Sequence, residues 1–287
     1  MSLERNMYFY DEYCKEVLSL VQITSRILKY FIPEYQNCSI EDIIQFIYSQ
    51  QTSRESKVAL LNHEKSENKE TIRYDLLFKS QFPDGRVAYI DIEAQNSDDR
   101  ASIHRRSEIY AGYGFVSQKG VECHPPLYEG LKPFYQIWIG KRSNRKKSRV
   151  TRERMIEEDL ITNELRKPPY SYQERVYISL GNEPSNHPGI QMFQILFSGD
   201  YRSEEVNDKL EEKFGFRLKD KEMEVLNRMC NFSKDIERKG RNIGKEETTL
   251  ELIRNLMEEA NIPIHKAMEL LRVPMSDRER YTVLIQS

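Results

Sequence analysis

Cysteine is scarce in this chain. Its 287 residues include 4 cysteines, Cys14, Cys38, Cys123 and Cys230, and no two of them form a CxxC pair. The 5 histidines show neither HxH nor HExxH spacing. A structural zinc site is therefore not expected. So few thiols suit a reducing compartment, where cysteine serves as a small apolar residue. With 12 glycines and 11 prolines the chain has too little of either for a collagen-like or low-complexity class. No apolar run approaches the roughly 18 residues of a membrane span. The start, Met1-Ser2-Leu3-Glu4-Arg5-Asn6, lacks the charged and apolar regions of a signal peptide. These absences predict a cytoplasmic protein without a membrane partner. An excess of one charge is missing too: 44 Lys and Arg face 46 Asp and Glu, a net charge of −2. Any contact with nucleic acid must then come from a local patch.

What is present is a chain long enough to bury a core without staples. At roughly 150 residues per domain, the length predicts one large domain, or one with a small appendage. Val17, Leu18, Val21, Ile27, Leu28 and Phe31 recur at helical spacing up to Pro33. Ser39 and Asp42 suit a capping box, ahead of Ile43, Ile44 and Ile47 on one face. Residues 49–70 read as an exposed polar connection around a short apolar patch, Val58 to Leu61. Phe134 to Ile139 and Arg175 to Leu180 read as strands, and Asp99 to Gln118 as a helix. Ile190 to Phe197 is apolar and of either type. The expected organisation is an α/β domain over 1–202 and a helical region over 203–287.

Between residues 71 and 95 the hydrophobic period changes to two. Phe82-Pro83-Asp84-Gly85-Arg86 suits a type I turn closed by a glycine bulge. That three-residue loop pairs Phe82 with Arg86, and by extension Asp75 with Glu93. One face then carries Ile72, Tyr74, Leu76 and Phe78 with Ala88, Ile90, Ile92 and Ala94, and is core. The other carries Arg73, Asp75, Leu77 and Lys79 with Tyr89, Asp91, Glu93 and Gln95. A two-residue Asp84-Gly85 loop would instead put Ala94 opposite Asp75. Carboxylates facing each other across a hairpin repel. A hard divalent cation offsets that repulsion, because Mg²⁺ takes carboxylate oxygens, keeps waters and binds phosphate oxygens. The plain alternative is the exposed polar face of an edge hairpin. Asp91 shares the face as a further candidate ligand.

Asp75 with Ile92-Glu93-Ala94-Gln95 resembles the core of the PD-(D/E)XK nucleases. More narrowly it resembles the PD-(D/E)XK family transposases, also called recombination-promoting nucleases. The phrases Glu12-Tyr13-Cys14-Lys15-Glu16-Val17-Leu18, Pro33-Glu34-Tyr35 and Ser39-Ile40-Glu41-Asp42-Ile43 agree with that branch. So do Arg106 with Tyr110, and Tyr135-Gln136-Ile137-Trp138-Ile139. The resemblance implies a restriction-endonuclease-like mixed sheet flanked by helices. It also implies cleavage of DNA with Mg²⁺, for which Mn²⁺ substitutes, in a mobile-element or recombination setting. Asp75 and Glu93 match the metal ligands, and Gln95 stands in the place of the usual lysine. Gln keeps hydrogen-bonding capacity but brings no charge, which Arg73 opposite it would supply. A Glu from the first helical stretch also joins such sites. Glu12, Glu16 and Glu34 are the candidates, and sequence does not choose among them.

Ser102, Arg106, Tyr110 and roughly Tyr113 share one helix face. The Arg106 fork suits a phosphate, and the alternative is plain packing with an ion pair to Glu108. Lys141 to Arg154 holds eight basic residues and one acid. Lys141, Arg142, Arg145, Lys146 and Lys147 lead it as candidate DNA contacts, with a salt slope of about −0.9 per phosphate neutralised. The other classes are a DNA-binding module that keeps the fold without turnover, and an interaction scaffold built on the helical tail. The C-terminal helices are the candidate surface for homo-oligomers.

Overall fold

The computed structural model describes residues 3–52, 55, 57, 58, 61, 72–96, 99–141, 145–166, 168 and 171–286, with backbone alone at 3–10, 232, 234–239, 243 and 286. Contacts divide the chain into two compact units: Tyr8–Asn231, and Phe232–Ser287 together with Met1–Met7. The expected break after residue 202 is thus placed later. The reason is burial: Val206, Leu210, Leu218, Leu226 and Met229 are all core residues.

Helices α1 (Leu3–Leu18), α2 (Val21–Phe31) and α3 (Ile40–Tyr48) precede the sheet. The Ser39–Asp42 capping box is present at the start of α3. Strands β1 (Leu76–Gln81) and β2 (Val87–Gln95) form the hairpin, followed by α4 (Arg100–Val116) and β3 (Phe134–Gly140). Next come β4 (Arg149–Arg154), the small pair β5 (Glu157–Glu158) and β6 (Leu165–Arg166), and β7 (Gln173–Ser179). The helices α5 (Pro188–Phe197), α6 (Ser203–Phe214), α7 (Asp220–Glu259), α8 (Ile264–Leu270) and α9 (Met275–Gln286) complete the chain. In the smaller unit the later part of α7, with α8 and α9, packs around Ile253, Ala267, Met268 and Val273. No helix among the described residues is long and apolar enough to cross a membrane.

The sheet is mixed, in the order β1-β2-β3-β7-β4. Strands β2, β3 and β7 run parallel, and β1 and β4 pair antiparallel at the edges. The hairpin register is the expected one, with Leu76 opposite Ile92 and Gln81 opposite Val87. Phe82 N–H donates to the Arg86 carbonyl at 2.7 Å and Gly85 N–H to the Phe82 carbonyl at 2.9 Å. Gly85 has φ +89°, the left-handed conformation that closes such a loop. β1 starts at Leu76, five residues later than the alternation at residue 71 suggests; residues 72–75 lie outside the strand.

The plain alternative for the hairpin is set aside here. The polar face of the hairpin is not exposed, because Leu77, Tyr89, Asp91 and Glu93 are buried like the apolar face. β2 lies inside the sheet beside β3, and parallel strands are covered on both sides. The cover is α4, whose buried positions are Ile103, Ser107, Ala111 and Gly114. Leu77, Tyr89, Ala111 and Phe134 pack together beneath it. On the opposite face Tyr35, just before α3, donates its hydroxyl to Ser80 Oγ at 2.8 Å and packs its ring at a tilt against Phe82.

Glu122 ties the segment after α4 to the sheet. It accepts from Tyr89 Oη at 2.9 Å and pairs with Lys132 at 2.7 Å and with Lys79. Burial pushes this carboxyl up, but bonds from Lys132, Lys79 and Tyr89 outweigh it and hold the group at about 2, against an ordinary 4.5. A depressed carboxyl stabilises the fold above its ordinary value and ceases to do so as pH falls towards 2. Glu122→Gln is therefore expected to lose on the order of 2 kcal/mol at pH 7. Its melting temperature should also be flatter than that of the unsubstituted protein between about pH 4.5 and 2. Parallel acid melting curves for the two proteins would expose the error of assigning this role to Glu122.

Candidate active site

The site lies at the carboxyl ends of the parallel strands, where α/β sheets present their ligands. Asp75 and Glu93 come together as the register requires, but through side chains rather than the ladder. The Asp75 backbone N–H donates to Glu93 Oε1 at 2.8 Å, and the Ala94 N–H donates to Asp75 Oδ2 at 3.0 Å. Each carboxylate thus caps the other's strand. The exchange fixes both groups before any ligand arrives.

Asp91, two residues before Glu93 on the same face, is buried as the third carboxyl. Its Oδ2 accepts from Gln136 Nε2 at 3.1 Å, while Oδ1 is buried with no hydrogen-bond donor. Gln136 in turn accepts from Arg175 Nε at 3.2 Å, and Arg175 grips Glu108 of α4 with both terminal nitrogens. Asp91, Gln136, Arg175 and Glu153 are register neighbours across β2, β3, β7 and β4. A polar row therefore crosses the sheet beneath α4. Burial pushes the Asp91 carboxyl well up; the bond from Gln136 opposes the shift and the charge of Asp75 adds to it. Burial, then the charges of Asp91 and Asp75, push Glu93 up as well.

Two cations answer these three carboxyls. Arg106 of α4 donates to Gln95 Oε1 at 2.7 Å and to Tyr110 Oη at 3.2 Å, and lies 3.9 Å from Glu93. Its guanidinium sits over the rings of Trp138 and Tyr110. Gln95 turns its amide nitrogen to Glu93 Oε2 at 3.3 Å, so it bridges carboxylate and guanidinium. The second cation is Lys15 of α1, whose Nζ is 3.0 Å from Asp75 Oδ1 and 3.0 Å from Glu12 Oε1. One turn earlier, Asp11 accepts from Asn96 Nδ2 at 2.8 Å and pairs with Lys141 Nζ at 2.9 Å. These bonds fasten α1 across the ends of β2 and β3.

Asp75, Glu93, Gln95, Arg106 and Tyr110 are thus brought together. Arg73 is exposed, and among the described contacts the cation on Gln95 is Arg106 instead. Lys141 is buried and committed to Asp11, so its ammonium does not face a solvent track. Arg145, Lys146 and Lys147 are exposed. Arg142 lies outside the described residues, as do 53, 54, 56, 59, 60 and 62–70 of the expected polar connection. The basic segment leaves the sheet at the site, since Lys141 N–H donates to the Gln95 carbonyl at 2.8 Å. Glu108 pairs with Arg175 rather than Arg106. Of the three N-terminal glutamates, Glu12 alone adjoins the site, through Lys15. Glu16 pairs with Lys57 and Arg228, and Glu34 accepts from Tyr135. Sequence reasoning missed Lys15, Gln136 and Arg175. The signal for the last two was a polar residue inside an otherwise apolar strand.

Among the described residues no group of three or more His, Cys, Asp or Glu side chains is placed to hold a metal ion. The pair Asp75 and Glu93 nevertheless suits a hard cation by its chemistry. The donors are all carboxylate oxygens, and Asp91 beside them has a buried acceptor without a donor. No protein-family model, curated protein or solved structure matches the chain.

Proposed function

We propose that this chain is a metal-dependent DNA endonuclease of the PD-(D/E)XK type, related to the recombination-promoting nucleases. It would act in the cytoplasm on the DNA of a mobile element, with its C-terminal helices as a self-association surface. The observation that carries the reading is the reciprocal tie between Asp75 and Glu93, with the Gln95–Arg106 pair beside it. Such an arrangement holds two carboxylates close in a buried place at a cost that a purely structural site would have no reason to bear. Asp75 and Glu93 are the residues that would hold Mg²⁺ or Mn²⁺. When bound, the cation polarises the scissile phosphate and lowers the pKa of a water.

The chain's own groups do the rest. Arg106, held in orientation by Gln95 and Tyr110, offers a guanidinium edge to a phosphate oxygen. The Gln95 amide keeps Arg106 and Glu93 in register without adding a like charge beside the guanidinium. Arg145, Lys146 and Lys147, on the exposed segment that starts at the site, attract the DNA backbone without reading its sequence.

Supercoiled plasmid tests this reading. Wild type with Mg²⁺ or Mn²⁺ is expected to produce nicked circles, EDTA to stop it, and Asp75→Asn to lower the rate by at least ~10³-fold. A well-folded wild type that binds DNA in a salt-dependent way and never nicks it would favour the second reading, a binding module without turnover. Gln95 in place of a lysine is the observation on that side.

A further inference from the structure

We propose that Lys15, projected from α1, supplies the ammonium that this site lacks at position 95 and contacts the phosphate of the bound DNA. The inference rests on the nuclease reading and deepens it. Position 95 is not free to carry charge, because its amide is taken up between Arg106 and Glu93. An ammonium there would face the Arg106 guanidinium at hydrogen-bond distance, which like charges do not tolerate. The charge has to enter from another element.

Of the other cations described around this end of the sheet, two are held by other partners, and no described hydrogen bond joins any of them to Asp75 or Glu93. Lys141 is buried against Asp11. Arg106 is held between Gln95 and two rings and reaches Glu93 only at 3.9 Å. Arg73 is exposed, and no described contact joins it to the carboxylates. Although Arg106 is the more exposed side chain, Lys15 differs in meeting a carboxylate of the pair directly. Its Nζ lies 3.0 Å from Asp75 Oδ1, a proposed metal ligand, and its side chain is still 31% exposed. The ammonium meets Asp75 on Oδ1, the oxygen that the Ala94 N–H leaves free.

Its support is built as for a positioned group. Glu12, one turn before it, holds the ammonium from behind at 3.0 Å. Asp11 pins the same turn of α1 to Asn96 and Lys141. A compact, flexible point charge suits a group shared between carboxylate and phosphate better than a planar fork would.

The test uses the full chain and three readouts: Tb³⁺ luminescence titration for cation affinity, plasmid nicking at saturating Mg²⁺, and a thermal melt. Lys15→Met is expected to bind Tb³⁺ about fivefold more tightly, because a like charge has left Asp75. The same variant should nick at least ~10²-fold more slowly. Lys15→Arg should return nicking to within about tenfold of wild type. If Lys15→Met does not fold, Lys15→Gln is judged on the same two readouts. Nicking by the neutral variant within twofold of an active wild type would overturn the proposal while leaving the nuclease reading intact; Lys15 would then merely fasten α1. Unchanged Tb³⁺ affinity in the neutral variant would overturn it as well. A wild type that neither binds Tb³⁺ nor nicks removes both readings, and the wild-type lane alone distinguishes that failure.

Discussion

Glu93→Gln is expected to abolish Mg²⁺-dependent nicking, by ~10³-fold or more, and yet to melt no lower than wild type in EDTA. The two halves have one cause. Glu93 is buried between two other carboxyls, Asp91 and Asp75, and its charge is disfavoured by burial and by both neighbours. The amide keeps the carbonyl that accepts the Asp75 N–H at 2.8 Å. What it gives up is the long contact from Gln95 at 3.3 Å and the distant attraction of Arg106 at 3.9 Å. Removing a disfavoured charge outweighs losing these, so the melting temperature holds or rises. A carboxylate kept for architecture behaves in the opposite way, since its removal leaves a partner unpaired. A drop of several degrees would therefore place Glu93 in the architecture and withdraw it as a ligand. DNA binding in EDTA should be unchanged, because the exposed basic residues 145–147 do not depend on it.

The hairpin was legible because its signal is local. Pro83-Asp84-Gly85 left two loop lengths open, and the three-residue loop that forms fixes every pairing from Gln81 with Val87 to Leu76 with Ile92, which brings Asp75 beside Glu93. The meeting of those two acids follows from the turn. The fate of their face does not. Whether Asp91 and Glu93 look into water or into protein depends on β3 and α4, and β3 begins almost forty residues beyond β2. Alternation reads a strand's two faces but not what will cover the polar one. Position 95 illustrates the same limit. Arg73 looked like its partner across the hairpin, whereas Arg106 reaches it from the covering helix. Lys141 belonged by composition to a basic run, yet lies buried against Asp11 of α1. Lys15 itself was in plain view within a helical phrase, and only the packing of α1 on the strand ends gives it a role.

Two glycines of α4 make the sharpest test of that cover. Gly112 and Gly114 sit two residues apart in one helix, where alanine is ordinarily worth about 1 kcal/mol over glycine. At Gly112 an added Cβ meets nothing within 4 Å, so Gly112→Ala is expected to stabilise by about 0.5–1 kcal/mol. At Gly114 the same atom would lie 2.7 Å from Phe134 Cζ and nearer still to two other ring carbons. Phe134 is fully buried in the cluster with Leu77, Tyr89 and Ala111, so the ring has nowhere to go. The helix must lift instead. Gly114→Ala is expected to destabilise by ~2–4 kcal/mol, as overpacking in a tight core does. The effect should also reach the chemistry. Tyr110 and Arg106 ride on α4 roughly one and a little over two turns before Gly114, and Arg106 must stay 2.7 Å from Gln95 to hold its edge towards a phosphate. A shift of about 1 Å in such a group costs on the order of 10²-fold in rate. Nicking by folded Gly114→Ala should then fall while that of Gly112→Ala stays level, the two being compared well below their melting temperatures. Equal stability of the two variants would mean that α4 does not press on β3. The Gln95–Arg106 bridge would then lose the scaffold that holds it.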